Sequence, residues 1–498
     1  MSITLRIFQG VFLLNRIWHT IQLLTVSCLL LLTLQFSAAA PVVDFSADPV
    51  NGPAPLAVTF TDQSSDSPGS WSWYFGDETF SDAWTEQNPD SGWVARMGHS
   101  TVALPDGSIV LTGGSDDENK NDVWRSDDKG VSWTLVNESA GWNARYMHST
   151  AALPDGSIVL TGGFVNGYAN DVWLSEDRGS TWTQVNRSPG WKARMKHSTV
   201  VLPDGSIVLT GGYASGWPNF GHQNDTWRST DKGATWTQMS ATAGWSERSM
   251  HTSVALPDGS IVLMGGNGDD GNYNDTWRSS DRGASWTLVN ASGGWSGRAY
   301  LTSALMPDGS ILLMAGSEGA DDTNDVWRSA DNGATWMQVP DAGWSARALN
   351  SLAALPDGSI VLTGGHDSGY RNDTWRFQPA GSTEQNPLHT YTGPGSYRVS
   401  LTVTDAEGSN TLIKNGYISV SESASVIPLP GYTLPPTDPD QDGVYEDLNG
   451  NGEAGFNDVV LFFKYIDWID ENEPVPAFDF TGNGEIGYND IVWLFREM

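Results

Sequence analysis

The tetrapeptide Pro-Asp-Gly-Ser occurs six times, beginning at Pro105, Pro154, Pro203, Pro257, Pro307 and Pro356. Around it a block of about fifty residues repeats between residues 84 and 378. With small variations each copy runs Gly-Trp-x-x-Arg, an apolar stretch, Pro-Asp-Gly-Ser, a second apolar stretch ending in Gly-Gly, then Asn-Asp-x-Trp. A unit this short cannot bury its own apolar faces and must stack on its neighbours. What every copy shares is therefore scaffold, and function belongs to the positions where the copies differ.

Each repeat holds four runs fit for strands. In the second copy they are His148–Leu153, Ser157–Thr161, Asp171–Ser175 and Thr181–Val185, separated by turn-forming residues. Four antiparallel strands per repeat make one propeller blade. The third turn reads Ser-x-Asp-x-Gly-x-(Ser/Thr)-Trp at Ser126–Trp133, Ser175–Trp182, Ser229–Trp236, Ser279–Trp286 and Ser329–Trp336. This motif resembles the Asp-box of sialidases and related propellers, and the Gly-Gly and Asn-Asp-x-Trp elements resemble kelch repeats. The resemblance implies a six-bladed β-propeller. In it the Asp caps turn amides, the Gly takes a left-handed conformation and the Trp packs between blades. The sixth copy stops after Trp375-Arg376 with no outer strand. The orphan Ala83-Trp84-Thr85 matches the missing piece, so the N-terminal end of the propeller is expected to complete blade six and close the ring, leaving no free sheet edge.

A latch of that kind brings residues 83 and 378 together and explains the flanks. Residues 41–82 carry Val43, Phe45, Val58, Phe60 and Trp73-Tyr74-Phe75-Gly76-Asp77; residues 380–421 carry His389-Thr390-Tyr391 and alternating Tyr397, Val399, Leu401, Val403. Neither half has enough strands for a sandwich alone. Together they resemble one immunoglobulin-like β-sandwich of the PKD (polycystic-kidney-disease) type, with Glu78 where that family's turn has glycine. The expected fold is mainly all-β: a propeller at 83–379 inserted in a sandwich formed by 41–82 and 380–421. Thr-Glu-Gln-Asn-Pro stands at both junctions, Thr85–Pro89 and Thr383–Pro387, and leaves the boundary open by several residues.

The ends of the chain carry other signals. Arg6 and Arg16 precede an apolar core, Ile21 to Phe36, and Ala38-Ala39-Ala40 follow it. Residues 1–40 read as a secretory signal, with an uncleaved membrane anchor as the other reading. The one cysteine, Cys28, lies inside it, so the mature chain is expected to have no disulfide. A formal charge of −33, from 59 acidic and 26 basic side chains, argues against a nucleic-acid partner. It suits a secreted or cell-surface protein or one that binds cations.

A Pro- and Ser-rich stretch, 422–437, reads as a linker. In 438–498, Asp447, Asn449, Asn451, Glu453 and Asp458 take positions 1, 3, 5, 7 and 12 of a loop; Asp479, Thr481, Asn483, Glu485 and Asp490 repeat it. Glycines at the sixth positions permit the sharp turn, and oxygen ligands so spaced suit calcium. Asp438, Asp440 and Asp442 overlap the first loop and could ligate a further ion. Apolar helical stretches follow each loop, at Val459–Trp468 and Ile491–Phe495. The duplicated loops resemble dockerin modules, a small α-helical EF-hand-like fold. The resemblance implies calcium as cofactor and a cohesin-like partner. Phe456 and Tyr488 hold equivalent places and read either as partner-facing or as core.

Strand order gives the propeller two faces. Pro-Asp-Gly and Asp-box turns share one; the Gly-Trp-x-x-Arg segments and the loops after Gly-Gly share the other, and these loops differ most between copies. Arg96, Arg145, Arg194, Arg248, Arg298 and Arg347 stand on this second face. Two readings are open: a guanidinium ring for an acidic ligand, or a local pair with each blade's own Asp. His99, His148, His197 and His251 follow three residues later, as a metal site or as locally bonded strand-edge groups. Trp217, Phe220 and His222 lie on the longest variable loop and suit stacking on a sugar or peptide, or packing on a neighbour. Asn137, Asn186 and Asn290 head Asn-x-Ser sequons. No nucleophile, acid and base assemble by any motif. The function expected is a non-catalytic binding or adhesion protein for carbohydrate or surface protein. The alternatives are an Asp-box glycoside hydrolase acting on acidic glycans, for which loop carboxylates such as Asp116 and Asp117 are available, and a structural envelope component.

Overall fold

Alternating apolar strands bounded by Gly and Asp turns build every blade. The computed structural model describes residues 41–65, 68–78, 80, 83–215, 221–378, 381–405, 409–422, 426–440 and 443–497. The signal-like segment 1–40 lies outside them. In blade one the strands are Ser100–Ala103, Ile109–Thr112, Val123–Ser126 and Thr134–Asn137, paired antiparallel in that order. Blades two to five repeat the pattern. The second strand of each is buried on both faces, because each blade is sandwiched between two others. In blades one to four a register shift between the third and outer strands adds local twist.

Blade six consists of Ser351–Ala354, Ile360–His366, Tyr370–Phe377 and the latch Trp84–Asn88, with Phe377 opposite Trp84 and Thr374 opposite Asn88. Tryptophan packing shows the same completion. In blades one to five the Gly-Trp indole meets the Asp-box indole edge-on at 6.1–6.4 Å. In blade six Trp344 meets Trp84 at 5.9 Å. The Asp-boxes are structural: Asp128 accepts from Ser132 N at 2.8 Å and from Ser126 Oγ, and Gly130 sits at φ 92°.

The sandwich forms from both ends of the chain. One sheet holds Phe45–Asp48, Leu56–Asp62 and Leu388–Tyr391; the other holds Asn51–Pro53, Ser409–Ser421, Gly395–Thr404 and Ser70–Tyr74. Phe45, Phe60, Trp73, Phe75, Tyr391 and Leu401 fill its core. Glu78 explains its own departure from the family's glycine: its carboxylate accepts the Phe75 and Gly76 amides and closes the turn. The two Thr-Glu-Gln-Asn-Pro copies separate cleanly. The first enters the latch strand; the second stays with the sandwich, where Pro387 O accepts from Phe60 N.

The sandwich rests on the Pro-Asp-Gly face. Ser72 Oγ donates to Asp357 O at 2.8 Å, Arg398 donates to Asp308 O at 2.8 Å, and Tyr74 is buried among blade five and six residues. The variable face is thus directed away from the sandwich. Of the segment read as linker, Val426 and Leu429 pack into the C-terminal core and Tyr465 donates to Pro430 O. That core unites helices α1 (Phe456–Asn472), α2 (Val475–Phe478) and α3 (Tyr488–Glu497). Among the described residues no helix is long and apolar enough to cross a membrane.

Candidate binding face and calcium loops

The six arginines do not face a ligand. Each is 0–1 % exposed and grips the Asp of its own blade through both terminal nitrogens: Arg96–Asp122, Arg145–Asp171, Arg194–Asp225, Arg248–Asp275, Arg298–Asp325 and Arg347–Asp373. In five blades the distances are 2.6–2.9 Å. Nε donates to the carbonyl two residues back, Nη1 also donates to the carbonyl ending the second strand, and the Asn-Asp-x-Trp indole donates to the same carboxylate at 2.7–2.9 Å. A buried guanidinium needs this degree of satisfaction. Burial pushes the Asp122, Asp171, Asp225 and Asp325 carboxyls up, and the bonds from Arg outweigh it, holding them below the usual range. The guanidinium ring is therefore a correction: the local pair is the outcome, because the repeat supplies a partner for every Arg.

The histidines are scaffold too. Nε2 of His99, His148, His197 and His251 meets Thr363, Thr112, Thr161 and Thr210 of the preceding blade at 2.9 Å. Burial brings His99, His197 and His251 down to about 3. Among the described residues the histidines form no cluster able to hold a metal. The sequon nitrogens are likewise engaged: Asn137, Asn186 and Asn290 donate from Nδ2 to the next Asp-box turn at 2.8–2.9 Å, as Asn88 of the latch does without a sequon.

What differs between copies is the residue just before each histidine position: Gly98, Met147, Lys196, Met250, Tyr300 and Leu349. All six lie at φ 54–61°, a left-handed conformation unusual for side chains other than glycine. Their backbones form a collar, with Gly98 N on Leu349 O, Met147 N on Gly98 O, Lys196 N on Met147 O, Met250 N on Lys196 O and Tyr300 N on Met250 O. The six residues surround an axial cavity of about 120 Å³. Lys196 Nζ donates to Tyr300 Oη at 2.9 Å and stands 5.2 Å from that ring's centre. Burial brings the ammonium down to about 8 and pushes the phenol up to about 12.

Beside the collar runs an aromatic ladder, Tyr146–Phe164–Tyr168–Tyr213–His222, with centroids 5.6, 5.7, 6.1 and 4.9 Å apart. It leads from a groove of about 820 Å³, lined by Asp116, Asp117, Glu118, Tyr146, Phe164 and Tyr370, toward the long loop of blade three. Of the loop residues singled out in the sequence, His222 packs on Tyr213, whereas Trp217 and Phe220 lie outside the described residues.

Two family models match the chain. The KLHDC2/KLHL20/DRC7 Kelch-repeats domain matches residues 64–266, and the PKD domain matches residues 365–420. The protein is a kelch propeller on a PKD domain. No curated protein matches it. Kelch and PKD domains together point to protein binding or adhesion.

Behind the PKD domain, the two tail loops fold alike. Asp447 accepts from Asn451 N and Gly452 N, and Asp479 from Asn483 N and Gly484 N, at 2.6–3.1 Å. At position 12, Asp458 accepts from Asn449 N and Gly455 N, and Asp490 from Thr481 N and Gly487 N. Asp447, Asp458 and Asp490 are buried, and among the described residues no Lys or Arg pairs with them. Buried carboxylates facing a glycine turn fit a hard divalent cation. Glu453 and Glu485 point outward, consistent with a position that ligates through its backbone carbonyl. Upstream, carboxylate oxygens of Asp438, Asp440 and Glu446 lie within 4.8 Å of one another. Glu446 had no signal in the loop spacing; Asp442 lies outside the described residues.

The open question over Phe456 and Tyr488 has a clear answer. Both are exposed, at 65 % and 66 %, and each heads a stripe one helical turn apart: Phe456, Val460, Phe463 on α1 and Tyr488, Val492, Phe495 on α3. Phe456 meets Phe495 and Phe463 meets Tyr488 at 6.1–6.2 Å, so the two stripes form one apolar patch related by the duplication.

Proposed function

We propose that the chain is a secreted or cell-surface, non-catalytic adhesion protein. Its kelch face recognises carbohydrate or protein, the PKD domain is the mount, and the tail is a calcium-ordered docking module resembling dockerins. The observation that carries this reading is the aromatic ladder. Aromatic faces and edges laid side by side over two neighbouring blades offer a stacking platform for sugar rings or peptide side chains. Support for the docking role comes from the six-residue apolar patch, since contiguous exposed apolar surface marks an interaction site. A cohesin-like partner is the occupant the resemblance implies.

The test is a glycan-array and peptide-array screen of residues 41–498 in calcium, scored for retention and for cleavage. Retention without cleavage, weakened at least about tenfold by Tyr168→Ala with Tyr213→Ala, is the expected result. Cleavage of the retained glycan would overturn the non-catalytic reading in favour of a hydrolase.

A further inference from the structure

Among the described residues one cation, Lys196, lines the axial cavity of the variable face. Lys196 rises from the collar of blade three and reaches Tyr300 of blade five. The groups lining its cavity are His99, His148, His197, His251, Met147, Met250, Leu349, Asn350 and Tyr300, none of them acidic. Tyr146 acts on the Tyr300 phenol from blade two; His222 of the loop beside the collar feels both the Lys196 charge and Asp269. The six blade arginines are paired with carboxylates and Arg398 with carbonyls, whereas Lys196 Nζ gives one bond, to Tyr300 Oη. Lys196 therefore keeps two N–H bonds to give, and Tyr300, which accepts from Lys196, keeps its O–H.

Two donors side by side in a small half-dry cavity suit the two oxygens of one carboxylate. Five collar amides and the carbonyls they meet are consumed in backbone bonds from residue to residue, so little is left there to hold a peptide main chain. The aromatic ladder ends at His222, within reach of the Lys196 charge, and offers a surface for the ring that bears the carboxylate. We propose that the axial cavity is the acid-recognition subsite of the variable face. It takes the carboxylate of a sugar acid, with Lys196 and Tyr300 each binding one oxygen. This rests on the reading of that face as a binding surface and adds a ligand class to it.

Titrating full-length mature protein with glucuronate, and with glucose as the neutral match, tests the assignment. Lys196→Met is the main variant; methionine already occupies the equivalent collar positions 147 and 250 at the same φ, so the collar is preserved. Expected is saturable glucuronate binding that Lys196→Met weakens at least about tenfold and Tyr300→Phe severalfold. A bound anion favours the charged lysine, so binding near pH 8 should take up a proton, seen as heats that vary with buffer. Near pH 6.5 it should not, because the ammonium is already formed. Equal affinity for glucuronate and glucose, or unchanged glucuronate binding in Lys196→Met, overturns the assignment. So does capture of acidic peptides, but not glucuronate, through Lys196. Retention of neutral glycans together with no Lys196-dependent glucuronate binding would overturn this subsite while leaving the adhesion reading intact.

Discussion

Thr112 Oγ1 donates to Ser100 O and so accepts from Nε2–H of His148; Thr161 and Thr363 do the same for His197 and His99. Nδ1 is left as a buried bare acceptor in each. Such a ring stays neutral, and its folded pKa lies far below the ordinary 6.5. Below that value the unfolded chain takes up protons the fold refuses, so stability is full above about pH 6.5 and falls as pH falls. His99, His197 and His251 each cost about 2 kcal/mol at pH 5 on this account. Asn350 shows that Asn fits the site, so His197→Asn should flatten the acid limb of the propeller's denaturation curve by that amount. Glu473 has the opposite sign. It is 6 % exposed, accepts from Ile427 N, and burial lifts its carboxyl from 4.5 to about 7. Between these values the fold holds a proton the unfolded chain has lost, so tail stability falls as pH rises and the loss is complete above about pH 7. Glu473→Gln should stabilise the tail above pH 7 by up to about 3 kcal/mol and leave it unchanged near pH 4. Calorimetry across pH would read both slopes, and a tail transition insensitive to Glu473→Gln would refute the second.

The latch strand is the element on which ring closure depends. Trp84 packs against Trp344 and Phe377 at 5.9 and 5.2 Å, joining the first propeller strand to the last. Trp84 and Trp182 make equivalent edge contacts in blades six and two, but only Trp84 belongs to a strand arriving from the other end of the repeat array. Trp84→Ala should cost about 2 kcal/mol, less than for a fully buried Trp, and should raise hydrogen exchange in both Ser351–Ala354 and Ser100–Ala103. Trp182→Ala should raise it only around blade two. Equal spread from both variants would remove any special role for the latch. This strand was legible from the sequence because the Asp-box count came up one short of the six Pro-Asp-Gly-Ser turns; the blades were legible because that turn recurred at a near-constant spacing. The collar was not, since a left-handed backbone at Met147 or Lys196 leaves no periodic trace. The sign was still present, as the position before the histidine changes character in nearly every copy. The packing of Leu429 was hidden for another reason: a Pro- and Ser-rich segment has the composition of a linker even where one leucine inserts into a core.

At the scale of the whole molecule the chain divides its stabilising devices. The propeller neutralises its buried arginines internally, blade by blade, and its Asp-box turn residues Lys129, Arg178 and Lys232 bridge to Asp357, Asp106 and Asp155 of the preceding blades. The tail does the reverse. Asp447 and Asp458 are buried within one loop, Asp490 in the other, and Asp438, Asp440 and Glu446 crowd together upstream. Like charges so placed repel, and a divalent cation in each loop would convert that repulsion into attraction. Calcium at about a hundred times its dissociation constant should then stabilise the tail by about 2.7 kcal/mol per site, and a chelator should lower the tail transition while the propeller transition stays in place. Asp447→Ala and Asp479→Ala should each remove one ion from the stoichiometry. Asp440→Asn separates two sites from three: loss of a further ion assigns the upstream cluster, and an unchanged count assigns its carboxylates to the first loop alone. A tail transition that ignores calcium and chelator alike would refute the calcium-ordered module, and the apolar patch of Phe456 and Tyr488 would then be presented by a fold that needs no ion.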